Sequence, residues 1–106
     1  MIARIWRGAV AQSDADTYAE YMRGTGLADY VATPGNQGAW MLRRDVGDNT
    51  EFVMFTLWDS MDAIKAFAGD EPERAVYYPE DEGYLVERDD VVAHFEVAAH
   101  VPPPAS

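Results

Sequence analysis

Side chains able to act on a small molecule are few in this chain, and His94 stands out among them. It sits inside the apolar run 91–98. A neutral imidazole, with an ordinary pKa of about 6.5, can take a proton from an acidic phenol or an activated carbon and leave an electron-rich anion. The plainer alternative is a core or interface histidine bonded to a backbone group. His100 stands at the edge of the tail, where no role is expected. His94 and Glu96 fall on one strand face, but two ligands without a third do not make a metal centre, so no metal is expected.

Arg4 and Arg43 stand in otherwise apolar strand-like stretches, where an unpaired guanidinium is costly. Each could hold an enolate or phenolate oxygen as charge develops on it. A salt bridge to one of the many carboxylates would serve equally. Trp6, Trp40 and Trp58 could wall a pocket that stacks an aromatic ring, or simply fill the core. Trp6 is the stronger candidate because it shares a strand face with Arg4. The acid clusters Asp70-Glu71, Glu80-Asp81-Glu82 and 87–90 read as solvated loop charge.

These residues need elements to position them. Residues 2–10 form a first strand that puts Arg4 and Arg7 on opposite faces. Ser13 is the expected N-cap of a helix with Asp14 and Asp16 in its first turn and Tyr18, Ala19 and Met22 on its apolar stripe; Gly24 and Gly26 weaken or end it before a shorter turn from Leu27 to Val31. A turn at Pro34-Gly35-Asn36 leads to a second strand at 39–44, and the loop 46–49 returns it as a hairpin into a third, 52–58. Asp59 or Ser60 caps a second helix with Met61, Ile64, Phe67 and Ala68 on one face and Gly69 at its end. A helical turn at 75–78, an exposed loop at 81–83 and a last strand at 91–98 complete the reading.

The order is β-α-β-β-α-β, an α+β, ferredoxin-like split βαβ with an antiparallel sheet and both helices on one face. In that order the first strand lies near the last, bringing Trp6 and Arg4 toward His94. The third strand is apolar on both faces, and so short a chain has nothing left to cover the second face. A second copy would close the sheet into a dimeric α/β barrel, so a homodimer is expected.

Composition narrows the class. The chain has 106 residues, 48% of them hydrophobic, enough for one domain, taken as 1–100 with a proline-rich tail at 101–106. It has no cysteine, which removes thiolate chemistry. Its formal charge of −11 opposes nucleic-acid binding, which needs phosphate-neutralising Lys and Arg. Neither a membrane span nor a charged leader is visible, so the expectation is a cytoplasmic protein with no membrane partner. No phosphate loop or nucleophile elbow occurs.

Trp58-Asp59-Ser60, the helix ending Ala66-Phe67-Ala68-Gly69, the stretch from Ala75-Val76-Tyr77-Tyr78 to Glu80, and His94 before Phe95-Glu96-Val97 together resemble the antibiotic biosynthesis monooxygenase-like domain of the dimeric α/β-barrel superfamily. The resemblance covers nearly the whole chain except its tail. It implies a homodimer with a pocket between each sheet and its helices. There a small hydrophobic or aromatic compound, quinol- or polyketide-like, is oxidised by molecular oxygen without a cofactor. It also places Tyr77 and Tyr78 at the pocket mouth, where a phenol could bond a substrate carbonyl. Haem-degrading relatives carry a histidine shortly after the second helix; this chain has Val76, Tyr77 and Tyr78 there, a departure that argues against that activity. A non-catalytic binding barrel and an isomerase of small cyclic substrates remain the alternatives. In the leading reading His94 is the proton acceptor, and Trp6, Trp58, Tyr77, Tyr78, Arg4 and Arg43 bind the substrate.

Overall fold

The computed structural model describes residues 1–104. Period-two alternation and β-branched or aromatic residues give a long first strand, β1 (Ile2–Ala11), and the hairpin β2 (Asn36–Val46) and β3 (Asn49–Trp58). All neighbours pair antiparallel in the order β2-β3-β1-β4, the ferredoxin-like arrangement. Two short strands share the outer edge of β1. β4 (Leu85–Arg88) pairs residues 8–10 of β1, and β5 (Ala93–Glu96) pairs residues 2–5.

That broken edge corrects the expected single last strand at 91–98. The Asp89 amide still donates to Arg7 O at 2.9 Å, but residues 90–92 leave β1 and bond instead to residues 73–75. The Ala75 amide donates to Asp90 O at 3.0 Å and the Val92 amide to Glu73 O at 2.8 Å. Val92 turns inward and is 5% exposed. β4 was hidden by its shortness and charge, since Glu87 and Arg88 read as part of a solvated loop.

The helices lie on one face. α1 (Ala15–Gly24) follows a single 3₁₀ turn, Gln12–Asp14, so Ser13 is not the N-cap; that position falls to Asp14, which makes no side-chain capping bond. The reason lies in Gln12, whose backbone and side chain bond Asp48 O and Gly47 O at the hairpin tip and carry the chain outward before the helix begins. α2 (Gly26–Ala32) follows at once, and Thr25 Oγ1 donates to Tyr21 O at 2.8 Å between them. In α3 (Met61–Ala68) the cap is Ser60, whose Oγ accepts from the Ala63 amide at 3.2 Å. Gly35 turns with φ 92°, and a Cβ there would stand 2.5 Å from Ala63 Cβ, so only glycine lets α3 pack this closely. The expected helical turn at 75–78 does not form; the turn comes later, as α4 (Asp81–Tyr84).

β3 shows how the core is divided. Phe52, Met54, Thr56 and Trp58 alternate into the helix side and are buried, joining Trp6, Tyr18, Tyr30 and Ile64 in the core. Val53, Phe55 and Leu57 face the other way and are half-buried. Around them lie Trp40 and Leu42, 47% and 50% exposed, and Phe95 at 57%. Trp40 packs edge-on against Phe55 at 5.6 Å. Within one chain this apolar face has no cover. Its far end is polar, where Glu51 accepts from both Arg7 and Arg44. Residues 101–104 are exposed and form no regular element; the last two residues of the expected tail lie outside the described residues.

Candidate functional site

A narrow cavity lies between the helix-side face of the sheet and the helices. Arg4, Trp6 and Met54 rise into it from β1 and β3, and Tyr18, Met22 and Tyr30 descend from α1 and α2. Phe67, Val76, Tyr77, Tyr78 and Asp81 form the outer wall. Its free volume is about 10 Å³, room for about one water. Anything larger requires the outer wall to move, and the unbranched Met22 and Met54 side chains are the most adaptable part of the lining.

Arg4 is 2% exposed. No carboxylate meets it, contrary to the salt-bridge alternative. Its Nη2 donates to Arg74 O at 3.0 Å and Pro72 O at 3.5 Å, and the guanidinium lies 5.5 Å over the Phe67 ring. Nε has no partner. Burial pulls its pKa down, and the Tyr30 phenol works against that pull.

Asp81, expected in a solvated loop, is 2% exposed. Its Oδ2 accepts from the Tyr78 amide at 2.6 Å while the Asp81 amide donates to Tyr78 O at 3.0 Å, a reciprocal pair that ties the start of α4. Oδ1 is buried without a partner. Burial pushes the carboxyl above its ordinary range, against the Tyr78 amide and Arg88. Two residues of this one lining, Arg4 and Asp81, therefore carry a buried donor atom and a buried acceptor atom without partners.

The tyrosines expected at the pocket mouth are on its wall. Tyr77 Oη accepts from Trp6 Nε1 at 2.9 Å and donates to Asp89 O, and Arg88 lies 4.6 Å over its ring. Tyr78 Oη donates to the Asp29 carboxylate. Burial raises the pKa of both, so both stay protonated at neutral pH.

The other expected residues sit elsewhere. Trp58 is fully buried behind the cavity, edge-on to Tyr30 at 6.2 Å, with Nε1 donating to Thr56 Oγ1 at 2.8 Å. Arg43 lies on the outer hairpin strand, bonded to Asp16 at 2.9 Å and stacked 5.5 Å over Phe52. His94 pairs with Arg4 across the β1–β5 ladder and so shares its face of the sheet. It lines a separate surface groove of about 350 Å³ with Met1, Ile2, Asp59 and Met61. Its Nε2 is buried without a partner, and burial, then the Arg4 charge, lowers its pKa against Glu73. Among the described residues no cluster of three or more His, Cys, Asp or Glu could hold a metal ion. No helix among them is long and apolar enough to cross a membrane.

The antiparallel split βαβ sheet with its helices on one face is the fold of antibiotic biosynthesis monooxygenase-like domains. Solved structures bear that out. A candidate antibiotic biosynthesis monooxygenase from Bacillus cereus superposes with a TM-score of 0.68 at 16% identity, covering 96% of this chain and 97% of the other. The haem degrader MhuD from Mycobacterium tuberculosis, solved with two haems in its active site, gives 0.57 at 20% identity over 96% of this chain and all of its own. A NIPSNAP domain protein from Burkholderia xenovorans gives 0.60 at 15% over 97% of this chain and all of its own. No model of a known protein family and no curated protein matches the sequence.

Proposed function

We propose that the chain is a cofactor-independent monooxygenase of small hydroxyaromatic or quinol-like compounds, working in the cytoplasm as a homodimer. The observation that carries this reading is Arg4, a buried guanidinium on the lining of an aromatic cavity, with its Nε unpartnered. Such a charge, held where water is scarce, stabilises a phenolate or enolate more strongly than it would at the surface. The substrate, once deprotonated, is electron-rich enough to react with oxygen directly. A ring methylene plus O₂ gives a ring carbonyl plus water, one oxygen atom entering the product and the other leaving with both methylene hydrogens.

Several features support the details. Trp6 and Phe67 put aromatic surface on the lining, and the Tyr77 and Tyr78 phenols stay neutral beside it. His94 opens onto the neighbouring groove, so this reading gives the proton step to a group of the cavity itself. Haem fits these residues poorly, because the wall after α3 has no histidine and Tyr77 already uses its oxygen on Trp6 and Asp89. The uncovered apolar face of β2 and β3 is what a second copy would cover.

Oxygen uptake tests the reading. With a panel of anthrones and hydroquinones, uptake is expected that survives metal chelation and falls sharply in Arg4→Gln. Binding of these compounds with no oxygen consumption would sink the oxygenase reading.

A further inference from the structure

We infer that Asp81 takes the hydroxyl proton of the bound compound, and that the cavity therefore selects aromatic compounds with a free hydroxyl on the Asp81 side and a carbonyl oxygen toward Arg4. The inference rests on the proposed site but not on its reaction with oxygen. Its ground is geometric. A buried carboxylate oxygen without a hydrogen-bond partner is costly, and native structures keep few of them. This one shares a cavity with an equally buried, unpartnered Arg4 Nε. Once the outer wall yields to admit more than a water, an acceptor and a donor left open on one aromatic lining are complementary to a hydroxyl and a carbonyl carried on one flat ring system. The phenols already present do not fill the need, since neither Tyr18 nor Tyr30 bonds Oδ1.

The proton step is simple. The substrate O–H bond breaks and an Oδ1–H bond forms. The electron pair stays on the substrate oxygen and spreads into the ring. Negative charge thereby moves from Asp81 to an oxyanion that Arg4 faces, and nothing else is consumed. Burial makes Asp81 a stronger base than an exposed carboxylate. The titratable and charged groups acting on it are Tyr18 and Tyr21 of α1, Tyr30 of α2, Tyr78 in its own segment and Arg88 of β4. The phenols resist ionising beside it, so Arg88 is the one opposite charge in that set.

The test compares 1-naphthol with 1-methoxynaphthalene by fluorescence titration of the whole protein at pH 8. The parent is expected to prefer the naphthol about tenfold. Asp81→Asn, whose amide oxygen keeps the Tyr78 bond and turns its NH₂ to the cavity, is expected to lose or reverse that preference. Equal binding of the two probes, no binding of either, or an unchanged preference in Asp81→Asn overturns the inference. A melting curve guards the variant. Without the unpartnered carboxylate, Asp81→Asn should melt at or above the parent at pH 8. The gap should close as the pH falls through the raised native value and below the ordinary carboxylate pKa, where Asp81 is protonated in both states. A variant that melts well below the parent at pH 8 implies a stabilising partner for Oδ1 and also overturns the inference. In the oxygen assay Asp81→Asn should cost a hundredfold or more, roughly the lower bound for a lost general base. Uptake that persists in Asp81→Asn but vanishes in His94→Ala leaves the oxygenase reading standing and removes Asp81. A lost naphthol preference with no uptake in the parent does the reverse.

Discussion

Trp58→Phe separates a core strut from a substrate wall. Trp58 is fully buried, bonds Thr56 Oγ1 at 2.8 Å and packs on Tyr30 and Phe67 at 6.2 and 5.8 Å. Phenylalanine removes the indole nitrogen and two ring carbons. The lost hydrogen bond is worth about 1 kcal/mol net. Thr56 Oγ1 still donates to Arg4 O at 3.2 Å, so the change strands no buried hydroxyl. The two carbons, at about 0.8 kcal/mol each, add roughly 1.5 kcal/mol. The expected loss is about 2.5 kcal/mol, or close to 10 °C in Tm at about 4 °C per kcal/mol for a domain of this size. Thermal melts followed by circular dichroism measure it. Affinity for 1-naphthol, read in the same samples, should change less than about threefold, because the indole stands behind the cavity and does not line it. An unchanged Tm with affinity lost tenfold would refute the reasoning and return Trp58 to the substrate.

Two further outcomes follow from charge and burial on the open side of the sheet. Phe55→Lys puts an ammonium in the middle of the uncovered apolar face; the parent is expected to sediment as a dimer and the variant as a monomer, and a stable parent monomer contradicts the dimer. In Glu51→Gln the two guanidinium bonds, Arg44 first and Arg7 second, no longer hold a carboxylate whose pKa they keep low. Their stabilisation is present above the ordinary carboxylate pKa and lost as the pH falls through the lowered native value. Parent and variant melts should therefore differ at pH 7 and converge in strong acid; a constant difference across that range would show the charge to be irrelevant.

How far the sequence could be read depended on how local each cause was. Ser60 and Gly69 punctuate α3 within nine residues, and Phe52, Met54 and Trp58 alternate strictly, so the third strand and its following helix were plain. Arg4 was legible as a cation in an otherwise apolar strand. Its partners were not, because the carbonyls of Pro72 and Arg74 lie about 70 residues away and carry no side-chain signature. Asp81 looked like one acid in a run of three. What buries it is a backbone amide three residues back and the aromatic packing above it, and only the Tyr78-to-Asp81 spacing of a reciprocal cap hinted at that. Tyr30 was missed because α2 is too short to show a period. His94 reached the right sheet face beside Arg4, but the break at 90–92 set its groove apart from the cavity.

That break also sorts the molecule by how readily its parts open. The outer wall of the cavity joins the sheet through a few bonds at Ala75, Asp89 and Val92 and through the Arg4 and Trp6 side chains, while β1 and β3 are zipped along ten paired backbone positions. Amides at 75 and 92 should exchange with solvent hydrogen by local opening, long before those of β3 report global unfolding. Entry to the cavity is thereby uncoupled from the stability of the fold, and the wall can change in sequence and mobility while the sheet that presents Arg4 stays as it is.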